Sequence, residues 1–181
     1  KRKDAPGRSP QKKADPSTPP AVAWHPELFQ VPQEEGKTLF HELDLPDPVL
    51  HAVADAGFKY CTPIQAEIMP STLKGRDAFG RAQTGTGKTA AFLITVLTRM
   101  LANPIKGKRP PGTPRVLIIA PTRELVLQIA DEAHLLSAYC HFSIVSVFGG
   151  MDYEKQRRQL HDRRRLGQRH GHLEQGFEDG L

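Results

Sequence analysis

The chain has 181 residues, enough for one domain with a real core. Its 25 Lys and Arg residues against 20 Asp and Glu leave a modest basic excess, which favours a polyanionic partner such as nucleic acid without specifying one. Cys61 and Cys140 lie far apart and form no C-x-x-C pair, which argues against a disulfide framework or a zinc site, and no apolar run approaches the roughly 20 residues that span a bilayer.

The two thiols are expected as small core residues in a soluble, cytoplasmic protein without a membrane partner. The first residue is Lys rather than Met, so the natural start is expected upstream.

Residues 1–36 hold seven of the sixteen prolines together with Lys1, Arg2, Lys3, Arg8, Lys12 and Lys13, and they lack a sustained apolar period. A disordered, solvated tail is expected, the alternative being a basic arm that adds affinity for RNA or docks a partner. Trp24, Leu28 and Phe29 are candidates for local folding within it.

Order is expected from Thr38, Leu39 and Phe40 onward. Leu43, Leu45, Val49, Leu50 and Val53 recur at the spacing of a short amphipathic helix entered at Asp47-Pro48 and closed by Gly57. Thr62 can cap, and Pro63 open, a second helix through Met69. Gly75-Arg76-Asp77 reads as a turn and residues 78–81 as a short strand. From Lys88, the set Phe92, Leu93, Val96, Leu97, Met100 and Leu101 follows a helical period with one buried face.

Residues 103–114, rich in proline, glycine and basic side chains, predict an exposed loop. The continuous apolar run Val116-Leu117-Ile118-Ile119-Ala120 predicts a strand buried on both faces of a parallel sheet. A helix over 125–139 and a third strand over 142–148, ended by Gly149-Gly150, complete residues 37–160. The alternation implies an α/β, doubly wound parallel sheet.

The stretch Ala82-Gln83-Thr84-Gly85-Thr86-Gly87-Lys88-Thr89 lies between the first strand and the third helix. It reads as a phosphate-binding loop. Glycines let consecutive backbone N–H groups curl around an anion, and the following helix adds the positive end of its dipole. Lys88 would reach the outer phosphates of ATP and Thr89 would hold Mg2+. The general pattern G-x-x-x-x-G-K-[ST] has Ala82 in place of its first glycine.

Asp131-Glu132-Ala133-His134 spells a helicase signature, and as such Asp131 would hold magnesium at the end of a strand. A strand is already expected to end at Ala120, and Leu125, Ile129, Leu135 and Leu136 fit one helix, so a helix surface is the expectation.

Taken together, Phe40, Gly57-Phe58, Thr62-Pro63-Ile64-Gln65, the Ala82–Thr89 loop, Pro121-Thr122-Arg123-Glu124-Leu125 and Gly149-Gly150 resemble the DEAD-box ATP-dependent RNA helicases. That family spells its loop A-x-T-G-x-G-K-T, which accounts for Ala82. The text is most similar to the bacterial helicases associated with the RNA-degrading machinery. The resemblance implies the first part of a P-loop NTPase, RecA-like domain, truncated, over residues 37–160.

It also implies roles. Gln65 would read the N6 and N7 edge of adenine through its amide, Phe58 would stack on the base with Tyr60 nearby, and Phe40 would pack behind the loop that carries Gln65. Pro121, Thr122, Arg123, Gly149 and Gly150 would contact the RNA backbone at the ends of strands. The alternatives are core packing for the aromatics, helix capping for Thr122 and a plain turn for the glycines.

After Leu160 the text turns to Arg, Gly, His and Gln, with Leu166, Leu173, Phe177 and Leu181 as its large apolar residues. The family's T-P-G-R, D-E-A-D and S-A-T motifs are not found. Residues 161–181 are therefore expected to be a disordered tail, produced by a frameshift or, alternatively, a natural basic extension. With Lys88 and Thr89 but no facing acid or arginine finger, ATP binding without hydrolysis or unwinding is expected. A non-catalytic nucleotide- or RNA-binding module and another P-loop ATPase are the competing classes.

Overall fold

Proline and glycine punctuate the chain where helices start and stop. The computed structural model describes residues 24–107, 110, 112–150 and 152–161, so residues 1–23 of the tail expected over 1–36 and residues 162–181 of the tail expected over 161–181 lie outside the described residues. Within them, a 3-10 turn at Pro26–Leu28 and another at Phe40–Glu42 precede helix α1, Asp47–Asp55. Pro46 and Pro48 fix the backbone angles at the entrance to α1.

Gly57 ends α1 as expected. At φ +74° its own N–H donates to Ala54 O and the next N–H, of Phe58, reaches back to Val53 O at 3.1 Å. These two bonds are the left-handed helix stop that glycine makes at little cost. They deliver Phe58 to the start of the next motif.

Helix α2, Pro63–Leu73, continues beyond the expected end at Met69 and carries Pro70 inside it. Pro70 lacks an N–H and removes one bond from the helix ladder. The Thr72 hydroxyl adds a bond to Ile68 O at 3.2 Å. It also contacts Thr95 Oγ1 at 3.0 Å, tying α2 to helix α3.

Helix α3, Lys88–Ala102, is the centre of the core. Ala90, Ala91, Leu93, Ile94 and Leu97 are buried on it, and α2, α4 and α1 all pack against it. Burying each of the larger aliphatic side chains contributes about 1.5–3 kcal/mol. At its far end Arg115 donates to Met100 O at 3.1 Å and Asn103 O at 2.6 Å, capping the last carbonyls.

Helix α4, Arg123–Leu136, starts two residues before the expected 125 and stops three before 139. Ala133 and Leu136 enter the core with Phe40, Val49, Val53, Met69 and Cys140. Burial pushes both thiols up to about 11, Cys61 with a smaller contribution from Glu42, in keeping with the expected packing role. Helix α5, Tyr153–His161, was not expected from sequence because its residues are mostly charged or polar.

The sheet departs from expectation. Among the described residues there is no β-ladder, only an isolated antiparallel bridge between Leu39 and Tyr60. Residues 78–81, 116–120 and 142–148 run as non-helical chain, and no backbone-to-backbone bond among the described residues pairs them with one another.

The run at 116–120 is also not buried on both faces: Leu117 is 75% and Ile119 85% exposed, and Phe79 in the first segment is 94% exposed. A strand needs neighbours for its polar backbone and cover for both faces. The described residues supply helices but no flanking strand. The 142–148 segment is better placed, with Phe142 and Ile144 packed on the core and Val147 exposed, the alternation expected of a strand.

No helix among the described residues is long and apolar enough to cross a membrane.

Candidate functional site

The loop before α3 is shaped by two left-handed glycines, Gly85 at φ +78° and Gly87 at φ +86°. Gly87 is the N-cap of α3, and no side chain caps that helix. The first-turn N–H groups of α3 therefore face the loop with the positive end of the helix dipole behind them. Within the loop, the Thr86 hydroxyl donates to Gln83 O at 2.8 Å. The Lys88 ammonium donates to Ala82 O at 2.5 Å and also to Gln83 O.

Gln65 joins this loop to α2. It is 3% exposed; its Oε1 accepts the Thr62 N–H at 2.8 Å, and its Nε2 donates to Gly87 O at 3.0 Å. One amide thus caps α2 and grips the residue before Lys88. A Cβ on Gly87 would lie 2.5 Å from Gln65 Nε2 and 3.1 Å from Thr62 Oγ1, so the approach requires glycine. The amide retains one lone pair and one N–H for a further partner. The Thr62 hydroxyl beside it is buried and without a partner.

Phe58 is half-buried and stacks on the fully buried Phe40, ring centroids 6.1 Å apart. Phe40 takes the core-packing role behind Phe58. Tyr60 faces the N-terminal segment: its hydroxyl donates to Pro32 O at 2.8 Å, and the Lys37 ammonium lies 4.4 Å from its ring centre. The Glu34 carboxylate, a hydrogen-bond partner, holds the Tyr60 phenol above its ordinary pKa.

A second cluster forms where 116–120 and 142–148 end. Thr122 Oγ1 accepts the Leu125 N–H at 3.2 Å, so this hydroxyl caps α4. Exposed Arg123 lies over the Phe148 ring, 4.7 Å from its centre. Arg123 Nη1 is also the nearest atom, at 3.9 Å, to a Cβ built on Gly150, whose φ is +80°. Gly149 has open space around it, and Pro121 is exposed. The Arg123 motif and the paired glycines, 26 residues apart in sequence, therefore share one surface.

Asp131 sits exposed in the middle of α4, so the Asp131–His134 letters lie on a helix as expected. Among the described residues no group of three His, Cys, Asp or Glu side chains could hold a metal. Sequence reasoning missed Gln156, which is buried in α5 and bonds both backbone groups of Phe148. A lone glutamine in a charged helix gives no periodic signal.

The uncapped helix start, the close backbone approach at Gly87 and the Lys88 ammonium fit a nucleotide polyphosphate. For Mg2+, Thr89 offers one hydroxyl at the start of α3, which suits an ion held chiefly by phosphates and water.

Comparison with known proteins gives the family. Residues 62–174 match the DEAD/DEAH box helicase family, a match that runs past Leu160. The chain is 54% identical over 133 residues to the ATP-dependent RNA helicase RhlB of Pseudomonas aeruginosa, covering 74% of this chain and 34% of that protein. It is 46% identical over 121 residues to RhlB of a Shewanella species, covering 67% and 28%. The chain thus spans about a third of the length of these curated relatives.

Among solved structures, the RNA helicase Prp28 from Chaetomium thermophilum bound to ADP superposes with a TM-score of 0.57 at 40% identity, over 66% of this chain and 28% of that one. A DEAD box protein from Methanococcus jannaschii gives 0.55 at 31%, over 68% and 32%. These likenesses support the P-loop, RecA-like fold. With well over half of its residues matched by the family, the chain belongs to the DEAD/DEAH box helicases.

Proposed function

We propose that this chain carries the ATP-binding loop, the adenine-reading side chain and part of the RNA-backbone surface of an ATP-dependent RNA helicase. In the whole protein, ATP binding and hydrolysis would be coupled to separation of RNA duplexes. The observation that carries the reading is the Gln65 amide, bonded at once to Thr62 N and Gly87 O. A side chain suited to adenine is thereby fixed against the loop suited to its phosphates.

In this reading the remaining N–H and lone pair of Gln65 meet N6 and N7 of adenine, and the exposed part of Phe58 covers the base. The loop from Ala82 to Thr89 wraps the phosphates with backbone N–H groups. Lys88 exchanges its bonds to Ala82 O and Gln83 O for phosphate oxygens. Mg2+, held by the Thr89 hydroxyl, would neutralise charge on the outer phosphates. Tyr60, held by Pro32 and Lys37, acts at the edge of the base site through Phe58 and the Leu39 bridge.

Arg123, the N-terminal N–H groups of α4, Pro121, Thr122 and the open backbone at Gly149 and Gly150 would take RNA phosphates and riboses without reading sequence. The doubly wound parallel sheet is the proposed setting of both sites, supported by the structural likenesses. The RNA-degrading machinery is the proposed protein partner, on the family resemblance alone, and cytoplasm the proposed location. Residues 37–160 are proposed as the folded unit and the basic 1–36 segment as a tail whose last part, from Trp24, lies against that unit.

Lys88 has no carboxylate partner among the ion pairs of the described residues, and this reading gives the 181-residue chain ATP binding without turnover. Titration with a fluorescent ATP analogue tests this. Binding that ATP competes better than GTP, lost in Lys88→Ala and unselective in Gln65→Ala, is expected. Equal binding by the Lys88→Ala protein would refute the site, and ATP turnover abolished by Lys88→Ala would refute the absence of chemistry.

A further inference from the structure

The side chains of helix α5 described over residues 153–160 are exposed with one exception: Gln156 is 7% exposed, while Glu154, Lys155, Arg157 and Arg158 around it face solvent. A buried amide on a solvated helix needs a reason, since burial of an unpaired amide is costly. Both ends of this one are paired with a single residue. Oε1 accepts the Phe148 N–H at 2.9 Å, and Nε2 donates to Phe148 O at 3.2 Å. That is the exchange a neighbouring strand makes with a residue opposite it.

Phe148 is thereby fixed in position and orientation by a side chain eight residues later. Its ring is the surface on which the Arg123 guanidinium lies, 4.7 Å from the ring centre, and Gly149 and Gly150 follow directly. Arg123 carries no carboxylate partner among the ion pairs of the described residues. Its planar cation is held by the aromatic face and keeps its N–H groups for an anion.

We propose that Gln156 is a positioning residue for RNA: by clamping the Phe148 backbone, it sets the ring that orients Arg123 toward a ribose-phosphate backbone at Gly149-Gly150. This rests on the RNA-surface reading above. Gln156 touches no RNA itself. Its effect passes through Phe148, so it should alter the same phosphate contact that Arg123 makes and no other.

The test is binding of a labelled oligouridylate to the full 181-residue chain over a range of salt concentrations, using Arg123→Gln, Gln156→Leu and their combination. Arg123→Gln should weaken binding about tenfold, the equivalent of one charge-assisted hydrogen bond. It should also lower the slope of log affinity against log salt by about 0.7, one phosphate on a single strand. Gln156→Leu should reproduce the slope change, and the combined variant should add nothing further.

If the parent chain shows no salt-dependent binding, or Arg123→Gln binds as the parent does, the RNA reading falls and the proposal falls with it. If Arg123→Gln behaves as expected but Gln156→Leu keeps the parent slope, or the two losses add, the positioning role is overturned while the RNA reading stands. Should Gln156→Leu fail to fold, Gln156→Glu takes its place, since it keeps an acceptor for Phe148 N–H and sets a carboxylate oxygen against Phe148 O. The Arg123 side-chain protons should be shifted upfield by the ring in the parent and relax toward free values in either variant. Unshifted protons in the parent would overturn the clamp directly.

Discussion

Gly85 and Gly87 occupy the same left-handed region, at φ +78° and +86°, and differ in their surroundings. A Cβ at Gly85 meets nothing within 4 Å, whereas one at Gly87 comes 2.5 Å from Gln65 Nε2 and 3.1 Å from both Gln65 Cδ and Thr62 Oγ1. Alanine at either position costs about 1–2 kcal/mol for the backbone alone. At Gly87 the Gln65 amide must also withdraw, giving up its bonds to Gly87 O and Thr62 N at about 1 kcal/mol each. Gly87→Ala should therefore exceed Gly85→Ala by about 2 kcal/mol or more, roughly 8 °C in melting temperature for a domain of this size. Thermal unfolding of the two variants without nucleotide measures the difference. In a Gln65→Ala background most of the excess should vanish, because the obstructing amide is gone and only the Thr62 hydroxyl remains close. Equal destabilisation by the two alanines, or an undiminished excess without Gln65, would refute the link between the adenine-reading side chain and the phosphate loop.

Gly57→Ala has open space around the new methyl group, so only the φ of +74° opposes it; a loss of about 1 kcal/mol in chemical denaturation is expected. Thr122→Ala should cost about 1 kcal/mol by removing the cap on Leu125 N, and Thr122→Ser should restore most of it, as followed by helical circular dichroism. Cys140 has its thiol pushed up to about 11 by burial. Because the folded value is the higher one, the neutral thiol contributes stability below pH about 9 that is lost as pH rises toward 11. Melting should fall over that window, and less steeply in Cys140→Ala. Leu117→Ser and Ile119→Lys should change the unfolding free energy by no more than about 0.5 kcal/mol while reducing self-association in light scattering, because both side chains are exposed.

Helices α1 to α4 were legible from local rules. Pro48, Gly57, Thr62-Pro63 and Thr122 mark ends that backbone geometry enforces, and the apolar period of α3 marks its buried face. The phosphate loop was legible because its glycines, lysine and threonine are adjacent in sequence. The bond from Gln65 to Gly87 spans 22 residues and has no local pattern, so only the family resemblance linked the two motifs. The strands show the limit of an apolar run. Residues 116–120 record what the segment is suited to pack against, but burial depends on other parts of the fold, and among the described residues Ile119 stays 85% exposed. The Phe148–Gln156 clamp was invisible for the opposite reason: its helix has no apolar face to announce it.

The segment before Phe40 is anchored by a column of three rings. Trp24 stacks on His51 of α1 at 4.4 Å between centroids, and His51 stacks on Tyr139 just beyond α4 at 3.6 Å. Asp55 closes the column by accepting from the Tyr139 hydroxyl and lying 3.6 Å from His51 Nε2. Trp24 is the single tryptophan of the chain, so this column doubles as a built-in optical probe. Its emission reports contact with His51 of α1. Fluorescence and helical dichroism followed together would separate peeling of the leading segment from collapse of the core, with no dye or engineered label. A single coincident transition would mean that the leading segment and the helical core come apart as one unit.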